Sequence, residues 1–244
     1  RPVARFHAAR ADATYRWQEP PEKSSPAPAG GPVQVGMVRA AAKDFASLPW
    51  RAVPGGFVAR FDAVSAGAQG LRVQLELAGA GALEARVRGP GGRVESMAIP
   101  AGATQAWGPW TEGERQEVEL FAAARPARSA ARLGGVAHFD RPLDAKVAAE
   151  CTVDTNCTTG DAALDAAIAV RKKSMARISF IDAGRAFVCT GTLLDTEKFP
   201  APYFLTANHC IGRAQVAASI TSFFFYEASA CGTGITDPGS RQVA

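Results

Sequence analysis

The side chains most able to do chemistry converge in the stretch Pro202-Tyr203-Phe204-Leu205-Thr206-Ala207-Asn208-His209-Cys210. An apolar run from Tyr203 to Leu205 reads as a buried strand that leads into a short polar turn presenting one histidine beside one cysteine. Imidazole is the side chain whose unperturbed pKa lies nearest neutrality, so a histidine fixed at a strand end can serve as general acid and base. A disulfide from Cys210 to another strand would keep the loop from drifting, as a base must stay within hydrogen-bond reach of its nucleophile. In isolation such a histidine also fits a structural or merely solvated role, and the surrounding motifs decide between these.

The run Leu205-Thr206-Ala207-x-His209-Cys210 resembles the histidine motif of the chymotrypsin-like serine proteases, and Phe187-Val188-Cys189-Thr190-Gly191-Thr192-Leu193-Leu194 resembles the strand that precedes it in that family. The likeness is closest to the bacterial lysyl endopeptidase branch, because the Cys151-x5-Cys157 pair, Gly160-Asp161 and Cys231 also fall where that branch has them. It covers residues 151–231, and Asn208 departs from the small residue usual at its position. The resemblance implies bridges Cys189–Cys210 and Cys157–Cys231, with Cys151 unpaired here and partnered by a cysteine outside this chain. It also implies a Ser-His-Asp triad in which His209 takes the serine proton, an aspartate fixes its tautomer and backbone donors hold the oxyanion. Only the histidine is expected within this chain. Asp237 follows too soon and lies in a Pro-Gly turn, and Gly239-Ser240-Arg241 lacks the second glycine of the serine motif.

Composition sets the frame for these elements. A chain of 244 residues with 47% hydrophobic and 20% charged residues is normal for a globular protein, and its 16 prolines and 24 glycines punctuate short apolar runs as in a β-rich fold. No stretch of about 18 apolar residues is present, so no membrane span is expected. The chain opens on Arg1 with no signal-like segment, from which a secretion signal is expected to have been removed or left out. Residues 1–150 hold 19 Lys and Arg against 15 Asp and Glu, and residues 151–244 hold eight of each, too little basic excess to indicate nucleic acid. All five cysteines lie in the last 94 residues, which points that part to an oxidising, extracellular or periplasmic compartment. Zinc is the competing use of cysteine, but no C-x-x-C or H-x3-H spacing occurs and Cys210 adjoins His209 too closely for both to ligate one ion, so no metal or other cofactor is expected.

Along the chain, residues 1–32 read as a flexible leader and linker rich in Pro, Ser and Gly. Residues 33–140 carry short period-two strands, clearest in Leu71-Arg72-Val73-Gln74-Leu75-Glu76-Leu77, and predict an antiparallel β-sandwich with one wet face and no chemistry of its own. Trp50, Trp107 and Trp110 suit either a sugar-stacking face or core packing, and core packing is the preferred reading. Residues 141–150 form a polar joint with candidate processing sites after Arg141 and Lys146. Within residues 151–244, a helix capped by Asp161 is expected, then strands at Met175 to Ile181, Ala186 to Leu194, Tyr203 to Thr206 and Val216 to Tyr226, the start of a first β-barrel. The whole reads as an all-β chain: the front portion of a secreted serine endopeptidase precursor, comprising pro-domain and first half-barrel. As given it is expected to be inactive, with a protein or peptide substrate and its own C-terminal half as partners. The alternative is a secreted binding or adhesion protein on a degenerate protease-like scaffold.

Overall fold

The computed structural model describes residues 5–19, 21–25, 31–41, 48–143, 153–197, 203–233 and 241–243. In chain order the strands are β1 (Ala13–Trp17), β2 (Val33–Ala40), β3 (Arg51–Val53), β4 (Gly56–Ser65), β5 (Gly70–Leu77), β6 (Leu83–Arg88), β7 (Val94–Ile99), β8 (Gln105–Trp107), β9 (Thr111–Glu112), β10 (Arg115–Ala122) and β11 (Ala131–Phe139). After the joint come helix α1 (Ala162–Arg171), β12 (Met175–Asp182), β13 (Arg185–Leu193), β14 (Phe204–Thr206), helix α2 (Ala214–Ala217), β15 (Thr221–Phe224) and β16 (Arg241–Val243). The all-β class expected from the strand pattern is the class observed.

One sheet runs β1-β4-β10-β6-β7 with β3 on the free part of β4. Its inner face packs on β5 and β11: Ala59, Phe61, Ala85, Val87, Val118 and Leu120 meet Val73, Leu75, Ala131 and Leu133 in one core. Alternating apolar residues on facing strands bury this sandwich core as the period-two pattern requires. Trp50 packs against that core, and Trp107 and Trp110 pack in a second one, so the tryptophans fill interior rather than form a sugar face.

The second sheet runs β16-β15-β12-β13-β2-β11-β5-β8, with β14 added to β13 and β9 to β5. It crosses the joint. Val33, Gln34, Gly36 and Met37 of β2 pair antiparallel with Val188, Phe187, Ala186 and Arg185 of β13, with a bulge between Ala186 and Phe187. The sheet therefore does not end at the joint: β2 has one edge on β11 and the other on β13. From β13 onward the strands β14, β12, β15 and β16 form a half-barrel. The β12–β13 hairpin closes on Ala183 and Gly184, both with positive φ, the conformation that matches a two-residue turn to strand twist.

Three expectations are corrected. The polar residues of β4 and β5 do not face water: Arg60 and Asp62 are each 4% exposed and Arg72 is fully buried. Over β4 the leader supplies the cover, so it is not a free tail over its described part, while Arg72 of β5 is held by the Gly108 and Ser219 carbonyls. Strand β1 pairs parallel with β4, the Phe6 ring lies under the guanidiniums of Arg60 and Arg88, and the buried Glu119 carboxylate accepts the backbone N–H groups of His7 (2.9 Å) and Ala8 (2.8 Å). Finally, the strand expected from Val216 is a short helix, α2, followed by β15; the Ala-rich stretch favours helix, and Ser219 Oγ donates to the Val216 carbonyl (2.7 Å) to close it. Helix α1 forms as expected, Asp161 Oδ1 accepting from the N–H groups of Ala163 (2.8 Å) and Leu164 (3.2 Å).

The two sheets are also joined by a buried polar knot. Arg39 of β2 donates to Ser65 Oγ of β4 (2.9 Å), and Ser65 in turn bonds Nδ1 of His138 on β11 (2.8 Å). Arg39 can only donate, so Ser65 Oγ accepts from it and keeps its own proton and second lone pair for the contact with the imidazole. Burial, and then the nearby Arg39 charge, push the His138 pKa below its ordinary value of 6.5, against the opposing pull of Asp140 and Glu114. A histidine whose pKa falls on folding contributes stability that is complete above about 6.5 and is lost as pH drops toward the folded value. Thermal melts of the wild type should therefore lose Tm between about pH 7 and 5 more steeply than those of His138→Gln; parallel slopes would refute this role.

Candidate functional site

His209 sits in the turn that follows β14, and the elements that place it can be traced outward from β13. Gly191, Thr192 and Leu193 of β13 pair with Thr206, Leu205 and Phe204 of β14. A Cβ on Gly191 would lie 2.1 Å from the Phe204 ring and 2.9 Å from the Leu205 carbonyl, so the lack of a side chain there lets β14 approach. Thr206 Oγ1 donates to the Thr190 carbonyl (2.9 Å), and the N–H groups of Cys210 (2.9 Å) and Ile211 (3.2 Å) donate back to the Ala207 carbonyl, which closes the turn around His209. The Cys189–Cys210 bridge then pins the turn to β13 with a Cα separation of 6.3 Å. Cys210 is buried and packs with Ile178, Phe180 and Val216 in a small core. His209 itself is exposed, and among the described residues it makes no hydrogen bond or ion pair.

A neutral imidazole on a rigid, solvent-facing turn can take a proton from a nucleophile brought to it. One ring nitrogen also lies within 4.8 Å of Sγ of Cys189 and Cys210. Those sulfurs are committed to the disulfide and offer no thiolate, so the cluster lacks the chemistry of a zinc site.

The second bridge, Cys157–Cys231, has a Cα separation of 4.6 Å and ties the approach to α1 to the segment beyond β15. Beside it lies a cluster that sequence reasoning missed. Lys172, at the end of α1, donates to Asn156 Oδ1 (2.9 Å) and pairs with Glu227 (2.7 Å), which also accepts from Thr155 Oγ1 (3.0 Å). Thr155, Lys172 and Glu227, with Arg177 and Thr190, line a cavity of about 200 Å³. They are dispersed over some 70 positions, and no local motif marks them.

Arg141, one of the two processing candidates, is half-buried and donates to the Ser24 carbonyl (3.1 Å), while its neighbour Asp140 accepts from Ser24 Oγ (2.7 Å). Lys146, Cys151, Asp237 and Ser240 lie outside the described residues.

Fold and site together define an all-β protein whose second half is a protease-like half-barrel carrying an exposed histidine on a disulfide-pinned turn. Residues 6–140 match the lysyl endopeptidase N-terminal domain and residues 145–243 match the lysyl endopeptidase C-terminal domain. The chain belongs to the lysyl endopeptidase family. It is 31% identical over 233 residues to a lysyl endopeptidase of Pseudomonas aeruginosa, a match that covers 83% of this chain and 48% of that protein. The chain thus spans about half the length of this curated relative. A similarity to a Podospora anserina beta-(1,4)-mannanase structure, at 15% identity over 59% of this chain and 36% of that one, has a TM-score of 0.24 and carries no argument.

The bridge over the 21-residue separation of Cys189 and Cys210 restricts the unfolded chain, a contribution of about 3 kcal/mol in the loop-entropy description. Replacing both by alanine should lower the urea midpoint accordingly and speed amide exchange in residues 207–211. Unchanged exchange there would show that the hydrogen bonds of the turn suffice to hold His209.

Proposed function

We propose that this chain is the front portion of a secreted, lysine-specific serine endopeptidase precursor, with residues 33–140 as pro-domain, 141–150 as processing joint and 151–244 as the start of the catalytic domain. His209 is the general base that takes the proton of a serine hydroxyl during attack on the scissile carbonyl and returns it to the leaving amine. The serine, the aspartate that orients the imidazole and the oxyanion donors belong to the remainder of the protein, as does the pocket that selects the side chain at the cut. The chain alone is inactive.

The observation that carries this reading is the match of residues 145–243 to the lysyl endopeptidase C-terminal domain, with His209 exposed on a turn fixed from both sides by Cys210 and β14. An unencumbered imidazole is what a base needs if the residues that complete the triad come from elsewhere. The disulfides fit secretion.

Processing falls after Lys146, giving a mature chain that begins Val147-Ala148-Ala149-Glu150-Cys151. Lys146 is the sole lysine between Lys43 and Lys172, so a lysine-specific enzyme could make this cut itself, whereas Arg141 is held by Ser24. The test is the full-length protein, secreted and purified. It should cleave peptides after lysine and not arginine, show Val147 by N-terminal sequencing, and in the form His209→Ala lose activity by about 10³-fold or more and stay unprocessed. Activity that survives His209→Ala, or a mature start at Pro142, would overturn the assignment it concerns.

A further inference from the structure

We propose that the first half of the chain holds the second by β-strand addition, with β2 as the donated strand and residues 185–188 of β13 as the acceptor edge, so that cutting the joint leaves a two-chain complex rather than two free halves. The inference rests on the seam between the halves and is independent of the peptidase reading.

The edge of β13 that faces away from β12 is divided. Its C-terminal part, residues 191–193, is taken by β14, and its N-terminal part, residues 185–188, by β2. Val33 and Gln34 pair only with β13, since the β11 ladder begins at Gly36. Without β2, the backbone donors and acceptors of residues 185–188 would have no partner on that side, and an edge strand in this condition recruits another strand.

Side chains fix the register of this addition. Arg72 of β5 is fully buried, and burial pushes its pKa down to about 9, which leaves it charged at neutral pH with no carboxylate bonded to it among the described residues. It donates from Nε to the Gly108 carbonyl of its own half (3.0 Å) and from Nη1 to the Ser219 carbonyl of the second half (2.9 Å), its guanidinium carbon 6.0 Å from the Trp107 ring centre. If the halves part, Ser219 loses this donor and Arg72 loses one of its two acceptors. On β16, the Gln242 side-chain amide accepts from the Trp110 N–H and donates to the Trp110 carbonyl (2.9 Å), reading that residue's backbone across the seam.

Apolar packing follows the same line. One core cluster combines Val35, Trp107, Ala137, Phe139 and Leu143 of the first half with Ala186, Val188 and Phe223 of the second. Trp110 makes edge contacts to Phe139 and Phe223, one from each half, at ring separations of 6.5 and 6.0 Å. The buried cluster wholly within the second half holds only Ile178, Phe180, Cys210 and Val216. The second half thus commits three buried residues to the seam, against four in its own cluster among the described residues, so parting the halves would expose a large share of its buried apolar surface. All five cysteines lie in residues 151–244, so no disulfide can tie the halves together after a cut.

The test places a specific protease recognition sequence within residues 144–150 of the full chain and cleaves it after folding. The nicked wild type should run in gel filtration as one species of the size of the intact 25.5 kDa chain, even at about 1 μM. Val33→Pro with Gln34→Pro removes the backbone donor that this stretch turns toward β13 and sets proline rings in the ladder, and after cleavage this variant should separate or aggregate, while before cleavage it keeps the β-sheet circular dichroism of the wild type. Separation of the nicked wild type, or a nicked proline variant that stays associated as tightly, overturns the proposal. Should the proline variant not fold, hydrogen exchange on the intact wild type decides: the amides of β2 and residues 185–188 that face each other should exchange at least about 100-fold more slowly than those of exposed turns, and exchange at the turn rate overturns the seam.

Discussion

A β-strand has two edges, and the backbone groups on both must find partners if the strand is buried. In this protein that constraint acts most sharply on β13. One edge belongs to β12 throughout. The other is shared between β14, which delivers His209 and Cys210 to the site, and β2, which arrives from the far end of the sequence. Cys189 stands at the boundary of the two, and its bridge to Cys210 ties the histidine turn to the strand both neighbours depend on. Two glycines make the arrangement possible. A Cβ on Gly191 would strike the Phe204 ring, and one on Gly36 would lie 2.2 Å from the His138 carbonyl, so β14 and β11 could not close on their partners. Site geometry and fold continuity are therefore set at the same few residues.

The buried charges follow from the same layering. Because the first sheet is covered outside by the leader and the second by the half-barrel, the polar residues that alternate along the strands end up inside. Most find partners close by, Arg60 and Arg88 on Glu117, Arg86 on Glu84 and Glu119, and Arg72 on two carbonyls, while Arg60 Nε and Asp62 Oδ1 have none among the described residues. Burying such groups without partners would cost several kcal/mol apiece, and with partners they favour one register over its neighbours. The Arg39–Ser65–His138 knot extends this logic across both sheets.

What the sequence disclosed and what it concealed divide along range. The Asp161 cap and the apolar faces of β4, β5, β6 and β10 are encoded in short windows, where spacing and residue type suffice, whereas the histidine turn was legible from its motif and both bridges only through the family resemblance that motif carried. The pairing of β2 with β13 joins residues some 150 positions apart and leaves no local mark, since each strand reads the same whether its outer edge meets solvent or another strand. Arg60, Asp62 and Arg72 had the alternation of a wet face, and period two reports which side of a strand is apolar without telling whether the polar side is covered. The leader was hidden by its prolines and glycines, although Phe6, which inserts under Arg60 and Arg88, and His7, which stacks on Phe121, do the anchoring. In α2, helix propensity in an Ala-rich run prevailed over the apolar alternation further along.

The central claim is that His209 is the base of a lysine-directed active site, and affinity labelling addresses it most directly. A lysine-derived chloromethyl ketone carries its electrophilic carbon to the imidazole of an enzyme that has bound the lysyl side chain. Full-length protein treated with this reagent should lose activity in step with the incorporation of one label, and peptide mapping should place that label on His209, with far slower labelling by the corresponding phenylalanine reagent. A label on another residue, or an enzyme that cleaves after lysine while His209 stays unmodified and activity persists, would contradict it.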